Sequence, residues 1–204
     1  MPMKEDRIKT LLQASKSAGP LTVGFLLVPN FSMLAFASAL EPLRAANRMS
    51  GQNLFSWVIS SPTGAAPEAS NGVRVDVQGT PEMLQDCRLV FVCAGLEVKA
   101  HADKETLNLI RRLDRKGAII GAICTGTYLM AAAGLLDDRR CTIHWENIDG
   151  LAEEFPLLEI TNELFEIDDK RVTCSGGTAS LDMILYLIGQ VHGQGLAAQV
   201  DRKS

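Results

Sequence analysis

The 204-residue sequence lacks several features that would direct a chain to particular classes of protein. No apolar run approaches the roughly 20 residues needed to cross a bilayer, so we expect no membrane partner. Lys and Arg number 20 against 24 Asp and Glu, so the formal net charge is −4. A chain without a basic surplus does not hold phosphates non-specifically, and contacts with nucleic acid are expected to lie outside it.

The sequence is also poor in metal-ligand and disulfide patterns. It has five cysteines but no CxxC pair, and its three histidines do not supply zinc-like spacing. Four of the cysteines fall in or beside strand-like runs and are predicted to be small buried hydrophobes: Cys87, Cys93, Cys141 and Cys174. We therefore expect no cofactor, reduced thiols and a cytoplasmic location. Residues 1–20 lack the apolar core of a signal peptide and are expected to form a flexible leader.

What the chain does have is an alternation of strand-like and helix-like segments. Short apolar or alternating runs predict strands, and longer segments with one apolar face predict helices. The predicted strands are residues 21–28, 55–60, 73–77 at an edge, 89–93, 118–123, 141–145, 164–167 and 171–174. The predicted helical segments are residues 33–49, a short turn at 80–82, 103–116, a segment that runs to residue 134, 147–155 and 179–192. This order predicts an α/β domain with a doubly wound, mostly parallel sheet and helices on both faces.

One stretch, GAIIGAICTGTYLMAAAG, joins a buried strand to a helix through Cys124. The small residues Ala122 and Gly126, two positions before and after the cysteine, allow a sharp turn from strand into helix. A residue at the tip of such a turn is exposed and often strained. We expect the first free N–H groups of the helix to stabilise a thiolate or a ligand anion there. Because ligands bind at the carboxyl ends of parallel strands, Cys124, Gly95 and Trp145 are predicted to share one crevice.

The motifs CTGTYLMAAAGLLD, CTIHW and VTCSGGTASLDMILYLI resemble the class I glutamine amidotransferase-like superfamily, PfpI branch, which has a flavodoxin-like fold. More closely, they resemble the N-terminal sensor domain of AraC-family transcription regulators of the GlxA type. The resemblance covers residues 21–195. It implies a sensor domain that forms a homodimer and acts on DNA through a C-terminal helix-turn-helix domain absent from this chain. Residues 196–204 would then begin the linker to that domain.

Two functions fit these motifs, and a third possibility is a vestigial domain kept only for dimerisation, which would show neither binding nor turnover. In a cysteine-dependent hydrolase or glyoxalase/deglycase-like enzyme, Cys124 would be the nucleophile and His144 the base. The oxyanion would be held by the N–H groups of Thr125 and of Gly95 or Leu96. Glu146 and Asn147 are candidates for orienting His144, from their position in the sequence alone.

In a sensor, the same parts would bind a small molecule without turnover. PfpI-type enzymes carry an acidic residue close to the cysteine, but the matching residues 31–36 contain no carboxylate, which favours binding. We therefore expect no catalytic residue, with Cys124 and His144 as vestigial candidates. The candidate ligand-binding residues are Phe31, Gly95, Leu96, Glu97, Cys124, Thr125, His144 and Trp145.

The resemblance is strongest to regulators of arginine, glycine betaine or carnitine catabolism, and it implies a small zwitterionic effector. Its carboxylate would lie near Thr125 and Gly95. Its cationic group would lie near Trp145, which can present a ring face to a cation, or near an acidic side chain such as Glu97.

Overall fold

A computed structural model of the chain describes Thr10 and residues 19–202, and its main feature is a six-stranded sheet. The strands are β1 Leu21–Leu27, β2 Phe55–Ser60, β3 Leu89–Cys93, β4 Ile119–Ile123, β5 Arg140–Cys141, β6 Glu159–Ile160, β7 Phe165–Asp168 and β8 Arg171–Cys174. The main sheet has the order β2-β1-β3-β4-β8-β7 and is parallel except for the antiparallel β7–β8 pair. The predicted doubly wound, mostly parallel α/β architecture is confirmed.

The central strands form because almost every one of their side chains can be buried. All residues of β3 and β4 are buried, as expected for parallel strands covered on both faces. Successive side chains alternate between two apolar cores. One core contains Phe25 and Phe91, whose rings stack at 5.9 Å, and the other contains Val90 and Ile120.

The helices cover the two faces of this sheet. They are α1 Met33–Ser50, α2 Lys104–Arg115, α3 Gly126–Ala132, α4 Ile148–Glu154, α5 Ala179–His192 and α6 Gln194–Asp201. The predicted N-cap Ser32 accepts a hydrogen bond from the Ala35 N–H at 3.3 Å, and Gly51 ends α1 in the left-handed conformation. No helix of residues 10 and 19–202 is both long and apolar enough to cross a membrane.

The edge strand predicted at residues 73–77 is wrong. This segment pairs loosely with the chain just before it, through hydrogen bonds from Ala69 N–H to the Val73 carbonyl and from Val75 N–H to the Pro67 carbonyl. Pro67 has no N–H to continue a ladder, so a regular strand does not form. The alternation of apolar residues is therefore present without the sheet pairing it suggested.

The strand predicted at residues 141–145 is also wrong in most of its length. Only Arg140–Cys141 form a strand, β5, which pairs with β6 outside the main sheet. At Thr142 the backbone N–H donates to the Thr173 hydroxyl and the Thr142 hydroxyl donates to the Glu163 carbonyl. These hydrogen bonds to side chains take the place of the backbone hydrogen bonds that a longer strand would form. Trp145–Asn147 then form a short 3-10 helix.

The last described element, α6, was not predicted. Its buried residues Ala197 and Val200 join the core formed with α1 and α5, so the chain continues to pack on the domain after His192. The linker predicted at residues 196–204 overlaps this helix, and residues 203–204 lie outside the described residues. Most of the predicted leader, residues 1–20, lies outside them too.

Candidate functional site

The strand-to-helix turn predicted at Cys124 is present at the carboxyl end of β4. Cys124 has a φ of 61°, in the left-handed region that few non-glycine residues adopt. Its N–H donates to the Cys174 carbonyl at 3.0 Å, which fixes the turn to the end of β8. At Gly126, a Cβ would lie only 2.1 Å from the Val92 carbonyl oxygen. Glycine is therefore needed for α3 to begin directly against β3.

Two further loops close around this turn. The Thr125 hydroxyl donates to the Gly95 carbonyl at 2.6 Å, which ties α3 to the loop after β3. The Leu96 N–H donates to the Asn30 carbonyl at 3.0 Å, and the Asn30 side chain donates to the Glu97 carboxylate at 3.1 Å. Asn30 and Glu97 also have left-handed φ values, of 62° and 55°. Three such residues at one place are typical of a functional site.

These loops surround a cavity of about 890 Å³, which we call the thiol cavity. Its volume suits a small organic ligand. It brings together six of the eight candidate ligand-binding residues: Gly95, Leu96, Glu97, Cys124, Thr125 and His144. Phe31 does not line it, because its side chain is fully buried and packs edge-on against Phe36.

The thiol of Cys124 is held in its neutral form. The residue is 7% exposed, and this burial raises the pKa of the Cys124 thiol to about 11. A hydrogen bond from the Thr125 N–H opposes the rise, while Cys174 and the Glu146 carboxylate add to it. The expectation that the helix N-terminus would favour a thiolate was therefore wrong. Helix α3 has only seven residues, and desolvation outweighs its effect.

His144 is not arranged as a base for this thiol. Its side chain is 29% exposed, and no hydrogen bond joins it to Cys124 in the part of the chain that the structure describes. Its Nδ1 lies 3.8 Å from a Glu146 carboxylate oxygen, too far for a hydrogen bond. For the other candidate for orienting the ring, Asn147, the hydrogen bond to His144 is a backbone one: the Asn147 N–H donates to the His144 carbonyl.

Trp145 does not share the thiol cavity, contrary to the prediction. It begins a 3-10 helix instead of ending a strand, and it lines an adjoining cavity of about 610 Å³. We call this the tryptophan cavity. The two cavities are contiguous because Leu34, His144 and Gly177 line both.

Sequence reasoning missed several residues of the site. Lys99 lines the thiol cavity, and its ammonium group lies 2.6 Å from the Glu154 carboxylate and 5.5 Å from the centre of the Tyr128 ring. Glu163 and Asp182 line the tryptophan cavity. Asp182 lies within the motif VTCSGGTASLDMILYLI, but the motif did not indicate that this residue reaches the site, and Lys99 and Glu163 lie in no motif. No group of three or more His, Cys, Asp or Glu in residues 10 and 19–202 could hold a metal ion.

Comparison with known proteins identifies relatives of the whole described domain. Residues 37–190 match the DJ-1/PfpI family. The transcriptional regulator CdhR of Pseudomonas aeruginosa is 48% identical over 88% of this chain and 53% of its own length. The regulator GlxA of Rhizobium meliloti is 42% identical over 92% of this chain and 58% of its own length. Both are described as HTH-type, and the chain spans about half the length of these curated relatives.

A solved structure also shows similarity to a transcriptional regulator. The AraC family transcriptional regulator from Pseudomonas putida superposes with a TM-score of 0.82 at 28% identity, covering 90% of this chain and 99% of that one. The resemblance to the PfpI branch and to helix-turn-helix regulators that the sequence suggested is thereby confirmed. The chain belongs to the DJ-1/PfpI family.

Proposed function

We propose that the chain is the effector-sensing domain of an AraC-type transcription regulator and binds a small zwitterionic amine or amino acid without converting it. The supporting observation is the state of Cys124 on the wall of the thiol cavity. Its pKa is raised to about 11 and no base among residues 10 and 19–202 is hydrogen-bonded to it, so at neutral pH it is a neutral thiol in a ligand-sized space. The names of the relatives, which are transcriptional regulators, support the same function.

In this proposal the effector carboxylate lies near Thr125 and Gly95. Betaine, carnitine and arginine are the effectors to test. Ligand binding would favour one arrangement of the loops after β1 and β3, which meet at Asn30 and Leu96. The proposal includes a homodimer, a cytoplasmic location and DNA binding by the regulator through a helix-turn-helix domain.

The rival function is a cysteine-dependent enzyme, and one observation supports it. Cys124 occupies the strained strand-to-helix turn that positions nucleophiles in other α/β enzymes. A ligand that displaced water from the cavity and brought His144 to the thiol would activate it. This rival predicts turnover of a carbonyl or amide substrate, and the sensor predicts saturable binding alone.

Replacing Thr125 by valine should weaken effector binding about tenfold. The substitution removes the hydrogen bond to the Gly95 carbonyl, which fixes one wall of the thiol cavity, and one such bond contributes roughly 1–1.5 kcal/mol. Isothermal titration with betaine, carnitine and arginine measures the change in the dissociation constant.

The matched control is Thr22→Val. It removes a side-chain hydrogen bond of similar length, 2.8 Å to the Ser56 hydroxyl, near the amino end of β1. Both variants should lose about 1 kcal/mol of stability, but only Thr125→Val should bind more weakly. Equal affinities in the two variants would contradict the assigned cavity, and no heat from any of the three compounds with the unchanged protein would contradict the sensor function.

A further inference from the structure

We infer that the tryptophan cavity is the subsite for the cationic group of the effector, with Asp182, Glu163 and Trp145 as its recognition residues. The inference rests on the proposed sensor function and deepens it, because it selects one of several places where a cation could bind. The ligand class it assigns is a weakly hydrated organic cation, such as a quaternary ammonium or guanidinium group.

Charge distinguishes the two cavities. Glu97, Glu146 and Lys99 line the thiol cavity, so its wall already carries one cation, the Lys99 ammonium that is paired with Glu154. Glu163 and Asp182 line the tryptophan cavity, and among the described residues no Lys or Arg does. A positive ligand group is therefore more strongly attracted to the tryptophan cavity.

The carboxylates of the two cavities also differ in their partners. Glu97 accepts a hydrogen bond from Asn30, and Glu146 lies 3.8 Å from His144. In contrast, neither Glu163 nor Asp182 forms an ion pair with another described residue. Asp182 lies in the first turn of α5, where the helix N-terminus favours a carboxylate, but a helix N-terminus does not explain the second carboxylate, that of Glu163 in the loop between β6 and β7.

The apolar part of the lining selects the kind of cation. Trp145 is 72% exposed, and it is one of three large exposed hydrophobic residues on this cavity, with Leu34 and Leu164. An exposed tryptophan ring attracts cations, and leucine side chains pack against methyl or methylene groups. A metal ion or a small, strongly hydrated ammonium ion would gain little from such a lining. The combination fits a bulky organic cation.

The shared walls allow one ligand to span both cavities. Leu34, His144 and Gly177 line both, and Gly177 leaves open space where a side chain would be, since no atom lies within 4 Å of its ideal Cβ position. A zwitterion with its cation beside Trp145 can therefore direct its carboxylate towards Thr125. This arrangement predicts that affinity depends on the separation of the two charges in the ligand.

The test uses two probes of nearly equal shape, choline and its neutral analogue 3,3-dimethylbutan-1-ol, together with carnitine. Trp145 is one of only two tryptophans, so its indole N–H signal in the NMR spectrum is assigned with the variant Trp145→Phe. Choline and carnitine should shift this signal, and the neutral alcohol should not. Asp182→Asn and Glu163→Gln should each weaken carnitine binding about tenfold, whereas Glu153→Gln, at an exposed position of α4 that lines neither cavity, should change it less than threefold.

Each outcome is decisive. If carnitine binds without shifting the Trp145 signal, or if Asp182→Asn weakens binding no more than Glu153→Gln does, the subsite is overturned while the sensor function stands. Equal binding of choline and its neutral analogue would also overturn it. If neither choline, betaine, carnitine nor arginine binds the unchanged protein, both this inference and the proposed function are wrong. Circular dichroism of each variant checks that it is folded.

Discussion

Gly126→Ala is expected to lower the melting temperature by about 10 °C. The added Cβ would lie 2.1 Å from the Val92 carbonyl oxygen, a backbone atom that cannot rotate away. Helix α3 would have to move off β3, and overpacking of this kind costs about 3 kcal/mol. The displacement would also carry Thr125 away from Gly95 and widen the thiol cavity. Thermal unfolding followed by circular dichroism measures the effect.

The control for this prediction is Gly150→Ala. Gly150 lies within α4, its φ is not in the left-handed region, and no atom lies within 4 Å of its ideal Cβ position. Alanine should therefore be neutral or stabilise the helix by about 0.5–1 kcal/mol. If the melting temperatures of Gly126→Ala and Gly150→Ala differ by less than about 2 °C, the close approach of α3 to β3 is not a determinant of the fold.

Cys124 should react with iodoacetamide at pH 7 about 300 times more slowly than a free cysteine. The thiolate is the reacting form, and a thiol of pKa about 8.5 is roughly 3% thiolate at pH 7. Burial raises the pKa of Cys124 to about 11, so its thiolate fraction at pH 7 is only about 0.01%. Because Cys124 lines a cavity, the thiolate fraction should limit the reaction.

Peptide mass spectrometry at successive pH values measures this rate for each cysteine. The rate at Cys124 should rise about tenfold for each pH unit between 7 and 10, since the thiolate fraction does so below the pKa. In denaturant all five cysteines should react at the ordinary rate, which is the internal control. A Cys124 that reacts at pH 7 as fast as free cysteine would contradict the raised pKa, and one that reacts faster would show a lowered pKa and would support the enzyme.

The parts of the fold that the sequence predicted are those specified by local pattern. The unbroken apolar run that became β4, followed by small residues around Cys124, was sufficient to predict the strand, the turn and the helix after it. The predictions at residues 73–77 and 141–145 failed for the opposite reason. Whether those segments pair in a sheet depends on residues outside them, Pro67 a few positions earlier in one case and the Thr173 hydroxyl and Glu163 carbonyl in the other.

The sequence predicted which residues lie in the site better than it predicted their chemical state. Gly95 and Thr125 follow from the rule that strand ends meet at one edge of a sheet, and His144 follows from the family resemblance; all three line one cavity with Cys124. The raised pKa of Cys124 was not predictable, because it comes from burial by other segments. One of them is the backbone at Gly176, which packs so closely that a Cβ there would lie 2.8 Å from the Cys124 Cβ. Trp145 was misplaced because its position depends on where β5 ends.

The most direct test of binding without turnover is a parallel assay of the unchanged protein and Cys124→Ala. Each is titrated calorimetrically with betaine, carnitine and arginine, and each mixture is then analysed for products. The account predicts that both proteins bind the same compound with affinities within about threefold, because alanine removes only a neutral thiol. It also predicts no product from either. Product formation by the unchanged protein that disappears in Cys124→Ala would contradict the account and establish the cysteine-dependent enzyme.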